Sequence, residues 1–120
     1  MARSHVFGIR CEQAAARYMS AAGWQILERN YRFGRREIDL IARKGDIVAF
    51  VEVKGRTGTG FGHPLHAVTA RKQREIERVA RQWIARFGGL SDVYRFDAVA
   101  VRLDGSGDPV IEYVTDAWRL

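Results

Sequence analysis

The stretch from Arg36 to Lys54, R-E-I-D-L-I-A-R-K-G-D-I-V-A-F-V-E-V-K, limits what this chain can fold into more than any other. Its first part alternates. Glu37, Asp39 and Ile41 fall on one face of a strand, and Ile38, Leu40 and Ala42 on the other. Ile47 to Lys54 is a near-continuous apolar run rich in β-branched residues, the pattern of a central strand buried on both faces. Lys44-Gly45 stands between them in a turn-forming context. The result is a hairpin with acidic residues where a plain strand would carry none.

Register decides what those acids can do. With Lys44 and Gly45 as the loop, Arg43 pairs with Asp46, Ile41 with Val48, Asp39 with Phe50 and Glu37 with Glu52. Any loop of two or four residues puts Glu37, Asp39, Glu52 and Lys54 on one side of the sheet, whereas three residues would separate Asp39 from Glu52. Carboxylates gathered in this way repel one another unless a cation or a proton sits among them.

At 120 residues the chain is expected to form a single domain, residues 1–120, with one real core. No segment has the length of a membrane span, and the N-terminus lacks the apolar stretch of a secretory signal. Cys11 is the only cysteine, which excludes an intrachain disulfide and a thiolate metal cluster and fits a reducing, cytoplasmic setting. The formal net charge is +6, carried by 17 arginines and three lysines against 14 acids. That balance favours polyanionic partners.

Phe7, Cys11, Ala14, Ala15, Tyr18, Met19 and Ala22 recur at helical spacing, predicting an amphipathic helix from about Ser4 to Ala22 that Gly23 stops. Glu12 lies on the shoulder of its apolar stripe. It reads either as a boundary glutamate favoured by the helix dipole or as a carboxylate looking over the sheet toward the acidic cluster. Trp24 to Arg32 reads as a first strand, with a turn at Phe33-Gly34-Arg35 before the hairpin. Gly55 to Pro64 holds five glycines or prolines in ten residues, a loop suited to flank an active site. It fits neither a P-loop nor a dinucleotide fingerprint, and His63 and His66 read as loop polar groups.

Thr69 can cap a second helix, in which Lys72, Ile76, Val79, Ala80, Trp83, Ile84 and Phe87 share a stripe and Gly88-Gly89 is the stop. Lys72 either snorkels past the core edge or reaches the pocket of Lys54. Arg71, Arg74, Arg78 and Arg81 form the opposite face, which reads as solvated. Strands follow at Asp92–Leu103 and, after a turn, at the edge strand Val110–Thr115. The order αβββαββ makes an α/β domain with a mixed central sheet flanked by helices, the second helix serving as a crossover between parallel strands.

Asp39 followed by Glu52-Val53-Lys54 is a D-x(n)-E-x-K pattern. On adjacent strands two such carboxylates can hold a hard divalent cation and leave places for water and a phosphate oxygen. Lys54 points to the same face as Glu52, where it can orient or help deprotonate an attacking water. Arg56, next to Lys54, is the candidate phosphate contact. The alternative for the same residues is an internal ion-pair network.

With a glutamate on the preceding helix, this arrangement resembles the PD-(D/E)xK nuclease superfamily, and most closely its Holliday-junction-resolvase branch. More narrowly, the chain resembles the YraN family of small bacterial proteins. The stretches that carry the likeness are Gly8-x-x-Cys-Glu12, Gly23, Asn30-Tyr31-Arg32, Glu37-Ile-Asp39-Leu-Ile41, Phe50-Val-Glu-Val-Lys54, Phe61-Gly62-x-Pro64, Lys72 and Arg95-Phe-Asp97. Two residues depart from the family pattern by replacing glycines: Cys11 before the helix glutamate and Arg36 before Glu-Ile-Asp. Both are expected to crowd the region around the site.

The resemblance implies a restriction-endonuclease-like fold. It implies Mg²⁺ or Mn²⁺ held by Asp39, Glu52 and the Val53 carbonyl, with Glu12 as a further acidic ligand. Lys54 would be the catalytic lysine, and Glu37 and Lys72 auxiliary. The expected function is metal-dependent hydrolysis of phosphodiester bonds in DNA, ahead of RNA, or in structured nucleic acid. The alternatives are a non-catalytic nucleic-acid-binding module of the same fold in a repair or processing assembly, and an interaction subunit using the Val110–Thr115 edge. No membrane partner is expected, and homodimerisation is left open.

Overall fold

A computed structural model describes residues 2–56, 68–103 and 107–119. The glycine-rich loop beyond Arg56, with Phe61, Gly62, His63, Pro64 and His66, lies outside the described residues, as does the turn at 104–106. The elements are α1 (Ala2–Ala21), β1 (Gln25–Phe33), β2 (Arg36–Lys44), β3 (Ile47–Arg56), α2 (Ala70–Phe87), β4 (Val93–Arg102) and β5 (Val110–Trp118). They form one five-stranded sheet in the order β1-β2-β3-β4-β5, antiparallel except for the parallel pair β3–β4. The expected α/β order and mixed sheet are present, with α2 as the connection that parallel pairing requires.

Each helix covers one face. Cys11, Ala14, Ala15, Ala16 and Met19 of α1 pack with Leu40, Ala42, Ala49, Val51, Val99 and Val101. Their small side chains let the helix lie close to the strands. Ile76, Val79, Ala80 and Trp83 of α2 pack with Ile38, Ile41, Val48, Phe50, Phe96 and Ala98. The Phe50 ring stands 5.8 Å from Trp83, 5.9 Å from Tyr94 and 5.5 Å from Phe96. Val48 to Val51 are wholly buried, as the unbroken apolar run requires of a strand covered on both faces. No helix among the described residues is long and apolar enough to cross a membrane.

Local chemistry sets the ends. Gly23 takes a φ of +97° after α1, and the Trp24 N–H returns to the Met19 carbonyl at 3.0 Å. Thr69 caps α2, its hydroxyl accepting from the Lys72 N–H at 3.2 Å. The β5 strand runs past Thr115 to Trp118. Asp116, at φ +54°, sits where the β4–β5 register shifts, which returns Trp118 to the core to stack on Phe96 at 5.1 Å. Periodicity alone hides that extension, because the shift breaks the alternation.

Two ion pairs tie the sheet together. Arg43 of β2 grips Asp92 with both terminal nitrogens, at 2.9 and 3.1 Å. Asp92 also accepts from the Gly89 N–H, and these donors, the Arg43 bond foremost, hold its carboxyl down to about 2. Buried Asp97 accepts from Arg95, from the Tyr113 hydroxyl at 2.5 Å and from the Asp116 N–H at 2.9 Å. Burial and the adjacent Asp97 charge push the Tyr113 hydroxyl well above its ordinary value.

Candidate active site

The β2–β3 hairpin opens where the acids are. Its ladder runs from Lys44↔Ile47 to Leu40↔Val51, while β2 begins at Arg36 and β3 continues to Arg56. The loop residues are therefore Gly45 and Asp46, one step beyond the expected Lys44-Gly45. Gly45 takes a φ of +61°, which a two-residue hairpin loop asks of glycine. The pairing moves by two positions, from Arg43↔Asp46 to Arg43↔Val48, so its parity is kept. Continued past Leu40↔Val51, it sets Glu52 beside Asp39, not beside Glu37.

Asp39 occupies a break in the strand pattern. Strict alternation would put Ile38 and Leu40 on one face, yet Ile38 packs on the α2 side and Leu40 on the α1 side. Its neighbour strand does the same around Asn30, whose φ is +50°. The Asp39 side chain turns toward β3, where Oδ2 accepts the Val53 N–H at 2.8 Å. A carboxylate thus takes the place of the next ladder hydrogen bond.

Glu52 lies against Asp39. The Asp39 carboxyl is only 9% exposed and is pushed up to about 8, first by burial, then by the Glu52 charge and the hydrogen bond between the two acids. The Val53 amide offsets part of this, and the Glu37 charge adds to it. Lys72, from the first turn of α2, brings its Nζ to 3.4 Å from Glu52 Oε2, so it reaches this pocket. Alternation along β3 places Lys54 on the same face as Glu52. Lys54 is exposed and has no ion pair among the described residues. Arg56 ends β3, half-buried, beside Arg102 in the register.

Glu12 and Glu37 stand on the α1 side. They line a cavity of about 410 Å³ with His5, Gly8, Ile9, Asn30 and Arg32. Asn30 Nδ2 donates to Glu12 Oε1 at 3.0 Å, and Arg32 pairs with Glu37 at 3.2 Å. Burial raises the Glu12 carboxyl, the Asn30 bond opposes this, and Asp39 and Glu37 raise it further. Glu12 therefore does look over the sheet toward the acids. The four residues expected on one face are split: Glu52 and Lys54 face α2, Glu37 faces α1, and Asp39 bridges the two sides. Among the described residues no group of three acids, histidines or cysteines is close enough to form a ready metal cage.

Asn30 is the site residue that reading for acids and lysines passed over. Its signal was an asparagine inside a strand, where a positive φ is the usual reason for one. The two residues that replace glycines differ in what they do near the site. Cys11 is buried with its Sγ where a Cβ on Gly55 would come within 2.7 Å, so Gly55 makes the room. Arg36 leans away, its Nε 3.7 Å from Glu75 of α2.

Residues 11–101, which include Glu12, Asp39, Glu52, Lys54 and Lys72, match the sequence model of a family described as uncharacterised protein family UPF0102. The chain belongs to the UPF0102 family. A UPF0102 protein of Rhodococcus jostii is 44% identical over 118 residues, covering 98% of this chain and all of the relative. One of Chlorobaculum parvum is 51% identical over 104 residues, covering 84% of this chain and 78% of the relative. One of Geobacter sulfurreducens is 40% identical over 115 residues, covering 96% and 90%. The bacterial family likeness read from the sequence thus stands at the level of UPF0102.

Proposed function

We propose that this UPF0102 protein is a metal-dependent nuclease of the PD-(D/E)xK type, with a restriction-endonuclease-like fold, that hydrolyses phosphodiester bonds in DNA or structured nucleic acid. The observation that carries this reading is the buried Asp39–Glu52 contact at the open end of the β2–β3 ladder, with Lys54 on the Glu52 face. The order of elements, with an antiparallel hairpin leading into a parallel crossover, supports the fold assignment.

The donor set fits a hard cation. Mg²⁺ is commonly held by one or two carboxylates and completes its shell with water and substrate phosphate, so Asp39 and Glu52 suffice, with the Val53 carbonyl and Glu12 in reserve. A divalent ion bound there would supply Lewis-acid polarisation of the phosphoryl group. The chain's own residues do the rest. The Val53 amide fixes the Asp39 rotamer. Lys72 sets the position of Glu52 and offsets part of its charge. Lys54, which has no ion pair among the described residues, is left to orient the attacking water and to balance the charge that develops on the phosphate.

The test is a cleavage assay with Mg²⁺ or Mn²⁺ over single-stranded, duplex, flap and junction substrates. Glu52→Gln should abolish turnover, and Lys54→Ala should lower it about a hundredfold or more while leaving substrate affinity near that of the parent. Metal binding without cleavage of any substrate would favour the non-catalytic module. Activity that survives Glu52→Gln would remove the site altogether.

A further inference from the structure

The outer face of α2 carries Arg71, Arg74 and Arg78, and by itself such a stripe is a solvated surface. The fold adds a wall to it. Arg36 crosses from β2, and its Nε lies 3.7 Å from Glu75 Oε1, the same oxygen that Arg71 Nε approaches at 3.7 Å. One carboxylate thus draws guanidinium groups from two elements to a common point. Together with Arg74 and Arg78 they line a groove of about 170 Å³. Glu75 is the single acid among four arginines, and among the described residues Arg74 and Arg78 have neither an ion pair nor a hydrogen bond.

In sequence the groove's residues adjoin those that meet the carboxylates. Lys72, next to Arg71, is the residue that reaches Glu52 on the α2 side of the sheet, and Arg36 stands three positions before Asp39 in β2. We infer that this groove is a track for the phosphodiester backbone of nucleic acid, holding the strand so that it runs past Asp39 and Glu52. Guanidinium forks match phosphate oxygens bidentately. Arg74 and Arg78, four residues apart on one helix, are separated by about 6 Å along its axis, close to the step between successive phosphates on one strand. The lining has no apolar wall to enclose a small ligand, and contacts of this kind position a duplex without reading its sequence.

The inference rests on the nuclease reading for its orientation, and its test is independent of the metal site. Binding of a fluorescent DNA duplex is measured in EDTA at several salt concentrations between about 50 and 200 mM. Arg74→Ala/Arg78→Ala is compared with Arg17→Ala/Arg29→Ala, which removes the same charge from exposed positions elsewhere. The groove variant should lose about tenfold or more in affinity at low salt, and its log–log salt slope should flatten by about 1.8, at about 0.9 per lost phosphate contact. The control should stay near the parent. Equal losses in both variants, no binding by the parent at low salt, or preference for anionic phospholipid vesicles over duplex would each overturn the assignment. A parent that shows no metal response but passes this assay keeps the groove and loses the nuclease.

Discussion

Asp39→Asn is the substitution whose effect the site geometry constrains most. In the metal-free protein the Asp39 carboxyl is held at about 8, against an unfolded value of about 3.9. The native state then keeps a proton that the unfolded chain releases, so stability is full below about pH 4 and declines as pH rises through about 8. The gap sets an upper bound of about 6 kcal/mol, at about 1.36 kcal/mol per pH unit. The proton is shared with Glu52 and the surroundings relax, so about 2 kcal/mol is the working figure.

The replacement amide keeps the oxygen that accepts from Val53 and gains an NH₂ that can donate to Glu52. It therefore mimics the protonated pair without titrating. In EDTA the variant should melt near the parent at pH 4 and above it at pH 9, by about 8 °C at about 4 °C per kcal/mol for a domain of this size. Mg²⁺ at 100 times its dissociation constant should add about 2.7 kcal/mol to the parent and little to the variant. Melting curves at pH 4, 7 and 9, with and without metal, read all of this. A parent whose midpoint does not fall from pH 4 to 9, with a variant less stable throughout, would mean that Asp39 is an ionised member of a structural network.

Gly55→Ala would place a Cβ 2.6 Å from Phe7 Cε2 and 2.7 Å from Cys11 Sγ, and should cost about 1–3 kcal/mol in a thermal melt. Adding Cys11→Gly should recover part of that loss, whereas strict additivity of the two changes would show that the sulfur is not the obstacle. Because the Asp92 carboxyl is held at about 2, its clamp on Arg43 contributes fully above about pH 4 and is lost as pH falls through about 2. Asp92→Asn should accordingly flatten the acid limb of urea melts between those values, and an unchanged limb would exclude Asp92 from acid unfolding. Asp97→Asn leaves Arg95 without its buried partner and should cost about 3 kcal/mol. The same variant should retain the metal-induced rise in melting temperature, since Asp97 bonds to Arg95, Tyr113 and Asp116 rather than to Asp39 or Glu52; loss of that rise would tie it to the site.

Much of this fold was legible because single residues announced it: the apolar run of Ile47–Lys54, the Thr69 cap, Gly23 after the first helix. These are local signals, and each needs only its neighbours in sequence. The candidate site was legible only in part. The pairing parity that brings Asp39 to Glu52 does not depend on which two residues form the loop, because moving the pairing by two positions keeps its parity.

Three features were not legible, for one reason: each is a meeting of residues whose approach depends on how strands twist. The alternation that assigned Glu37 and Glu52 to one face fails at Asp39, where the side chain turns to the Val53 amide and the strand faces exchange around it. Asn30 reaches Glu12 because β1 takes the same turn at a positive φ. Arg36 reaches Glu75 because, beyond that turn, the start of β2 faces α2. One irregularity at the Asn30–Asp39 level therefore opens the hairpin, brings the helix glutamate toward the acids and walls the arginine groove. The local cost of a non-glycine residue at positive φ and of an interrupted ladder is the kind of strain that persists where a site needs it. Restoring regular alternation there would close the ladder over Val53 and leave Asp39 no amide to hold it.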